Sequence, residues 1–194
     1  MKKNNQYSEA ILESVNIKKK LIILQKEVSL ATNKIFKTIK KGGKIFICGN
    51  GGSASDAQHL SAEFLVRLNP KINRRPFPII PLTMNASTLT ACGNDYGFKY
   101  IFSRNLEALA QKKDLLIAIS TSGRSSNIIE VLKKSKKMKI FSISFLGSNG
   151  GVAKKISNLS IIVPHKNVAR IQECHIFLGH FILNEVENML LKNE

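Results

Sequence analysis

His59 and Glu63 stand four residues apart in the segment QHLSAE, 58–63. On a helix that spacing puts an imidazole and a carboxylate on one face. Such a pair can transfer protons near neutral pH or hold a metal ion, and it can equally be a solvated i,i+4 pair. Near the other end of the chain, Arg170, Gln172, Glu173, His175 and His180 lie among Ile171, Ile176, Phe177, Leu178, Phe181 and Ile182. Gln172, Ile176 and His180 follow steps of four, so the amide and the imidazole share one side of a helix. A histidine in so apolar a run is either a satisfied core residue or a site group. Gly179 beside His180 lets another backbone or a ligand come close. His165, in a loop after Val163-Pro164, has no partner visible in the sequence.

Two further segments have the chemistry of anion sites. Cys48-Gly49-Asn50-Gly51-Gly52-Ser53-Ala54-Ser55-Asp56 directly follows an apolar run. Its glycines allow a sharp turn and close approach of backbone amides. Ser53 and Ser55 bring hydroxyls to a helix start, where free N–H groups favour an anion. Ser120-Thr121-Ser122-Gly123-Arg124-Ser125-Ser126-Asn127 follows another apolar run, with more hydroxyls than one N-cap needs. Such a cradle suits a phosphate monoester, and Arg124 can add charge at its rim. Each segment alone reads equally as a capped strand–helix turn; two at equivalent places in one sheet favour phosphate. The P-loop pattern is absent. Gly49-x-Gly51-x-x-Ala54 matches a dinucleotide fingerprint, but the second strand ends Leu82-Thr83-Met84-Asn85 without the acidic residue that fingerprint requires.

These residues need a scaffold, and hydropathy supplies one. Apolar spacing near 3.6 over 7–41 predicts one long or two consecutive helices ending at Gly42-Gly43. Strands are expected at 44–48, 78–83, 114–120, 139–145 and 159–164. Helices are expected at 54–67, from Thr88 to a break at Gly93, at 98–110, 127–137, 152–157 and 168–191. Alternating strands and helices predict a three-layer α/β/α sandwich around a five-stranded parallel sheet, flavodoxin-like, with added N-terminal helices. In such a sheet ligands bind beyond the carboxyl ends of the strands, where both glycine-containing turns fall. The expected organisation is a single domain over 1–194, with a helical segment at 1–42 and an α/β body at 43–194.

Composition sets the outer bounds. The chain has 194 residues, 43% hydrophobic and 22% charged, which fits a globular fold. No apolar run reaches the length of a membrane span, and the basic start lacks the apolar stretch of a signal peptide. Three cysteines (Cys48, Cys92, Cys174) without CxxC spacing argue against a disulfide framework and a thiolate zinc site, and fit the cytoplasm. Thirty Lys+Arg against 13 Asp+Glu give a net charge of +17, which attracts anions. The basic residues are scattered, without the aromatic interleaving of a nucleic-acid surface, so the charge points to no nucleic-acid partner.

Taken together, CGNGGSASDAQHLSAEFLVR (48–67), ACGNDYGF (91–98), FSRNLEALA (102–110), AISTSGRSSNII (118–129) and ARIQECHIFLGH (169–180) resemble the phosphoheptose isomerase family of SIS-domain proteins. The blocks run in family order from about residue 41 onward. The resemblance implies an aldose–ketose isomerase that interconverts sedoheptulose 7-phosphate and D-glycero-D-manno-heptose 7-phosphate through an enediol. That is the first step toward the ADP- or GDP-heptoses of lipopolysaccharide and other surface glycans. It implies Glu63 and His180 as the catalytic proton-transfer groups, and a zinc ion held by His59, Glu63, Gln172 and His180. It implies phosphate and sugar contacts at Asn50, Gly51, Gly52, Ser53, Arg67, Asn94, Asp95, Ser120, Thr121, Ser122, Ser125 and Gln172. It further implies a homotetramer with active sites at subunit contacts; the absence of a long apolar run adds the expectation of no membrane partner.

Three positions depart from the family pattern. Ala169 stands where some members have Asp, Arg124 where Asn or Lys is more usual, and FLGSNGG replaces LTGKDGG. None falls on Glu63 or His180. The alternative is a non-catalytic relative, similar to the initiator-associating protein that binds DnaA as a tetramer.

Overall fold

The computed structural model describes residues 3–83 and 85–192. Helix α1 (Lys3–Lys20) passes through a 3-10 turn (Leu21–Leu24) into α2 (Gln25–Lys40). There follow β1 (Ile45–Gly49), α3 (Gly52–Leu65), β2 (Ile79–Pro81), α4 (Ala86–Asp95), a 3-10 turn (Phe98–Tyr100) and α5 (Ile101–Leu109). The remainder is β3 (Leu115–Ser120), α6 (Ser126–Lys137), β4 (Phe141–Gly147), α7 (Ala153–Ile156), β5 (Leu159–Val163) and α8 (Val168–Leu191).

The five strands pair in the order β2-β1-β3-β4-β5, every pair parallel. The sheet grows to one side from β1 to β2 and to the other from β3 onward. Strand order therefore reverses between β1 and β3, the point beyond whose carboxyl ends such sheets bind ligands.

Period-two alternation divides the core into two layers. Ile45 and Ile47 of β1, with Leu115, Ile117 and Ile119 of β3, face one side and pack with α1, α2, α3 and α8. Phe46 and Cys48, with Leu116 and Ala118, face the other side and pack with α5, α6 and α7. Both central strands are buried along their whole length, which is why they read as unbroken apolar runs. On α2, Val28, Ala31, Ile35 and Ile39 form the buried stripe, at the spacing expected of an amphipathic helix. The three cysteines are free and buried, and burial pushes the Cys48 thiol well above its usual range. Among the described residues no helix is long and apolar enough to cross a membrane.

Several boundaries differ from expectation. Helix α4 does not break at Gly93 but runs to Asp95, and the turn comes at Gly97, whose φ is +93°. A glycine inside a helix costs only about 1 kcal/mol, so neighbouring helical residues carry the element through. Strand β4 begins at Phe141, because Lys139 adopts φ +60° and Ile140 N donates to Ser135 O to close α6. Helix α3 starts at Gly52, two residues early, and ends at Leu65, two residues before Arg67.

Candidate active site

The turn after β1 launches α3. Gly51 has φ +54° and ψ −124°, a conformation that a side chain would oppose. It lets Asn50 O accept from Ser53 N and Gly51 O accept from Ala54 N, so the helix begins directly off the strand end. Gly51 and Gly52 are exposed, whereas Ser53 is buried. His59 and Glu63 then project from one face of α3, with His59 Nε2 at 3.4 Å from Glu63 Oε1.

Helix α8 crosses α3 at Gly179. A Cβ added there would lie 2.6 Å from Leu60 Cδ1, so the missing side chain is what lets the two helices touch. The close approach at Gly179 is made by the Leu60 side chain, where another backbone or a ligand was expected. As a result His180 Nε2 comes within 2.8 Å of His59 Nε2, one ring nitrogen donating to the other. The rings meet edge to face, with centroids 5.0 Å apart. Two imidazoles from helices 121 residues apart in sequence thus converge on one carboxylate.

The ligand atoms of His59, Glu63 and His180 all lie within 4.8 Å of one another, so the three can hold a metal ion. Partial burial pulls the His180 pKa below its ordinary value, the nearby His59 adds to the effect, and Glu63 opposes it. His180 is therefore readily neutral, the form that binds a metal or accepts a proton. Gln172, on the same side of α8, packs its amide against Gly52, where a Cβ would sit 2.6 Å from Nε2. Asp56, one turn before His59, has one buried carboxylate oxygen without a hydrogen-bond partner. Burial raises its pKa, and His59 works in the opposite direction.

The turn after β3 folds on its own hydroxyls. Ser120 Oγ accepts from Gly123 N at 3.1 Å, and Ser122 Oγ accepts from Arg124 N at 3.2 Å. Ser120 is buried, Ser122 and Arg124 are exposed, and Thr121 and Ser125 lie between these extremes. Gly123 O accepts from Ala153 N, which ties the turn to α7. Ser125 precedes α6 without using its hydroxyl to cap it.

The two turns are fastened together by a residue that motif reading assigns no role. Asn50 Nδ2 donates to Asn127 Oδ1, and Asn127 Nδ2 donates to Asn50 Oδ1, both at 2.8 Å. Asn127 is only 1% exposed. The available signal was an asparagine just inside a helix start, where such side chains favour local polar contacts.

Three more of the expected site residues stand at helix ends. Arg67 is exposed beyond the end of α3. Asn94 and Asp95 are exposed at the end of α4, with Asn94 Nδ2 donating to Asp95 Oδ1. Asp95 is outside the group of mutually close metal-ligating side chains found among the described residues. His165 has a partner after all, with Nε2 at 3.3 Å from Glu13 Oε1 on α1. His175 is a core residue: fully buried, its Nε2 lies 3.0 Å from Leu146 O.

Residues 6–147 match the SIS domain family. The chain is 40% identical to a phosphoheptose isomerase of Chlorobaculum parvum over 96% of its own length and 92% of that protein's. It is 49% identical to one of Campylobacter concisus over 82% of this chain and 84% of that protein. Its fold superposes on the phosphoheptose isomerase structure from Neisseria gonorrhoeae with a TM-score of 0.89 and 35% identity, covering 95% of this chain and 98% of the other. The chain belongs to the phosphoheptose isomerase family of SIS-domain proteins.

Proposed function

We propose that the chain interconverts sedoheptulose 7-phosphate and D-glycero-D-manno-heptose 7-phosphate, supplying heptose for surface glycans. The observation that carries this reading is the convergence of His59, Glu63 and His180 within 4.8 Å, from α3, which follows β1, and from α8. The initiator-associating alternative is not favoured: the relatives of high identity are isomerases, and a binding module has no need of this cluster.

The reaction moves two protons. One leaves C1 of the ketose and reaches C2; the other leaves O1 and reaches O2. Glu63 takes the C1 proton while His180 protonates O2, giving the enediol. His180 then takes the O1 proton as Glu63 returns its proton to C2, and the aldose results. The depressed His180 pKa fits a group that must both give and accept a proton near neutrality. Ser120, Thr121, Ser122 and Ser125, with Ser53 nearby, hold the phosphate at the start of α6, where free N–H groups favour an anion. Asn50, Gly51, Gly52, Arg67, Asn94, Asp95 and Gln172 contact the sugar.

His59, Glu63, His180 and the Gln172 amide would hold zinc, a donor set of two imidazoles, a carboxylate and an amide oxygen that suits this ion. When bound, zinc supplies Lewis-acid polarisation of the sugar oxygens.

A second copy of the chain is the proposed cover for the apolar surface of the N-terminal helices and α8, in a homotetramer located in the cytoplasm. Ile22 and Ile23 are 73% and 71% exposed, and Phe177 and Phe181 line the adjoining groove. Apolar side chains this exposed and adjacent mark an interaction surface. That surface adjoins His180 along α8, so subunit contact and active site lie together, and Arg67, Asn94 and Asp95 reach substrate across it. In this reading the N-terminal helices and the α/β body work as one domain.

The test is turnover. Purified protein is incubated with sedoheptulose 7-phosphate, and aldose phosphate is followed with and without a chelator. Turnover that falls on chelation and returns with zinc is expected. Folded, zinc-supplied protein that yields no aldose phosphate overturns the reading.

A further inference from the structure

A buried ion pair lies behind the cluster. Arg74, in the connection between α3 and β2, has no exposed side-chain surface, and the Glu187 side chain on α8 is 1% exposed. Arg74 Nε donates to Glu187 Oε1. The rest of the guanidinium turns to the end of α3: Nη2 donates to Glu63 O and Nη1 to Phe64 O, each at 3.0 Å. Nη1 also reaches Arg75 O at 3.0 Å, and the group lies 4.4 Å from the Phe77 ring centroid.

Each contact has a physical reason. The last carbonyls of a helix lack partners within it, and Glu63 and Phe64 belong to the last turn of α3. A cation there also complements the helix dipole. The planar fork of arginine can meet two carbonyls and a carboxylate at once, which the single ammonium of lysine cannot. Burying such a pair costs so much desolvation that it is a weak source of net stability; its effect is geometric. Glu187 follows His180 by seven residues, two turns along the same side of α8. One side chain therefore ties the turn that carries Glu63 to the stripe that carries His180.

We propose that Arg74 is a positioning residue for the isomerisation: clamped to Glu187, it fixes where the last turn of α3 holds Glu63 relative to His180. The inference rests on reading Glu63 and His180 as the proton-transfer pair. Arg74 itself touches no reacting atom.

The test replaces the whole pair, because removing one partner strands a buried charge. The double variant R74M/E187L fills the same space with apolar side chains, a type of exchange that buried ion pairs tolerate. A misplacement near 1 Å can cost about 100-fold in rate, so kcat is expected to fall by about 10- to 100-fold. KM for sedoheptulose 7-phosphate should stay within about threefold, because the phosphate cradle stands on other elements. Loss of kcat with wild-type KM and an intact thermal transition supports positioning. Wild-type kcat, or kcat and KM worsening together with a lowered melting temperature, overturns it. Should R74M/E187L not fold, Glu187→Gln keeps the shape and one acceptor; a kcat lowered about tenfold at unchanged KM is then expected, and wild-type kcat overturns the proposal. Glu63→Gln, assayed beside them, separates the two ideas. An active Glu63→Gln protein removes the proton-transfer reading itself; an inactive one beside a fully active R74M/E187L removes only the role of Arg74.

Discussion

The α3–α8 crossing and the turn after β3 are built on different principles. The crossing joins residues far apart in the chain through core contacts: Gly179 against Leu60, Arg74 against Glu187. The turn is a local object, shaped by its own hydroxyls and backbone amides within a few residues. Proton transfer demands that groups from separate elements hold a fixed separation, and only tertiary packing provides that. Anion binding needs convergent donors, and one short loop can present them. Damage to the crossing should therefore appear in kcat, and damage to the turn in KM.

The largest break is Glu63→Gln. The amide keeps the size of the carboxylate and removes the base. A general base contributes up to about 10,000-fold, and kcat is expected to fall by at least about a thousandfold. Calorimetric titration with sedoheptulose 7-phosphate should still show binding, because the phosphate contacts lie on the turn. If binding were lost along with turnover, the division between the two regions would be wrong.

The next prediction concerns the two histidines of α8. His180 faces α3, whereas His175 faces the sheet and is pushed by burial to a pKa of about 4, below its ordinary 6.5. The folded protein then resists protonation of His175 while the unfolded chain accepts it. The His175 contribution to stability is full above pH 6.5, declines as pH falls toward 4 and is flat below. At 1.36 kcal/mol per unit, the decline amounts to roughly 3 kcal/mol. Chemical unfolding between pH 4 and 7 should show this slope in the parent chain. His175→Gln should show a shallower slope, retaining the part due to His180, whose shift has the same sign. An unchanged slope in His175→Gln would show that the buried ring does not govern acid stability.

These histidines also mark how far the sequence can be read. Strand runs, helix periodicity and both turns were legible because they are local patterns, and the parallel sheet follows from their alternation. The i,i+4 step made His59 and Glu63 neighbours before any fold was known. The convergence with His180 was legible only through resemblance, since no periodic rule links helices so far apart. His175 and His180 sit in the same apolar run, and spacing alone did not say which faces the core. Asn127, Arg74 and Glu187 were invisible for the same reason: their partners are 77 and 113 residues away.

The Asn50–Asn127 pair joins the turn after β1 to the turn after β3 and predicts a smaller effect. Asn127→Ala leaves the half-buried Asn50 amide without its partner, at a cost of about 1–3 kcal/mol. Unfolding measured for Asn50→Ala, Asn127→Ala and the double variant should give a coupling energy of about 1–2 kcal/mol. Additive costs would mean that each asparagine acts alone and that the turns are held by their strands.

Ser122→Ala should have the smallest effect on stability, and it tests the turn most cleanly. The hydroxyl is exposed and accepts a single bond, from Arg124 N, so its loss leaves no buried group unpaired. Melting temperature should therefore not change measurably. A hydrogen bond to a charged group contributes about 1.5–3 kcal/mol, so KM for sedoheptulose 7-phosphate should rise by at least about tenfold. The value of kcat should remain, because Glu63 and His180 sit on helices that Ser122 does not touch. If kcat fell while KM held, the turn would be shaping the proton-transfer geometry, and the two regions would be one mechanical unit.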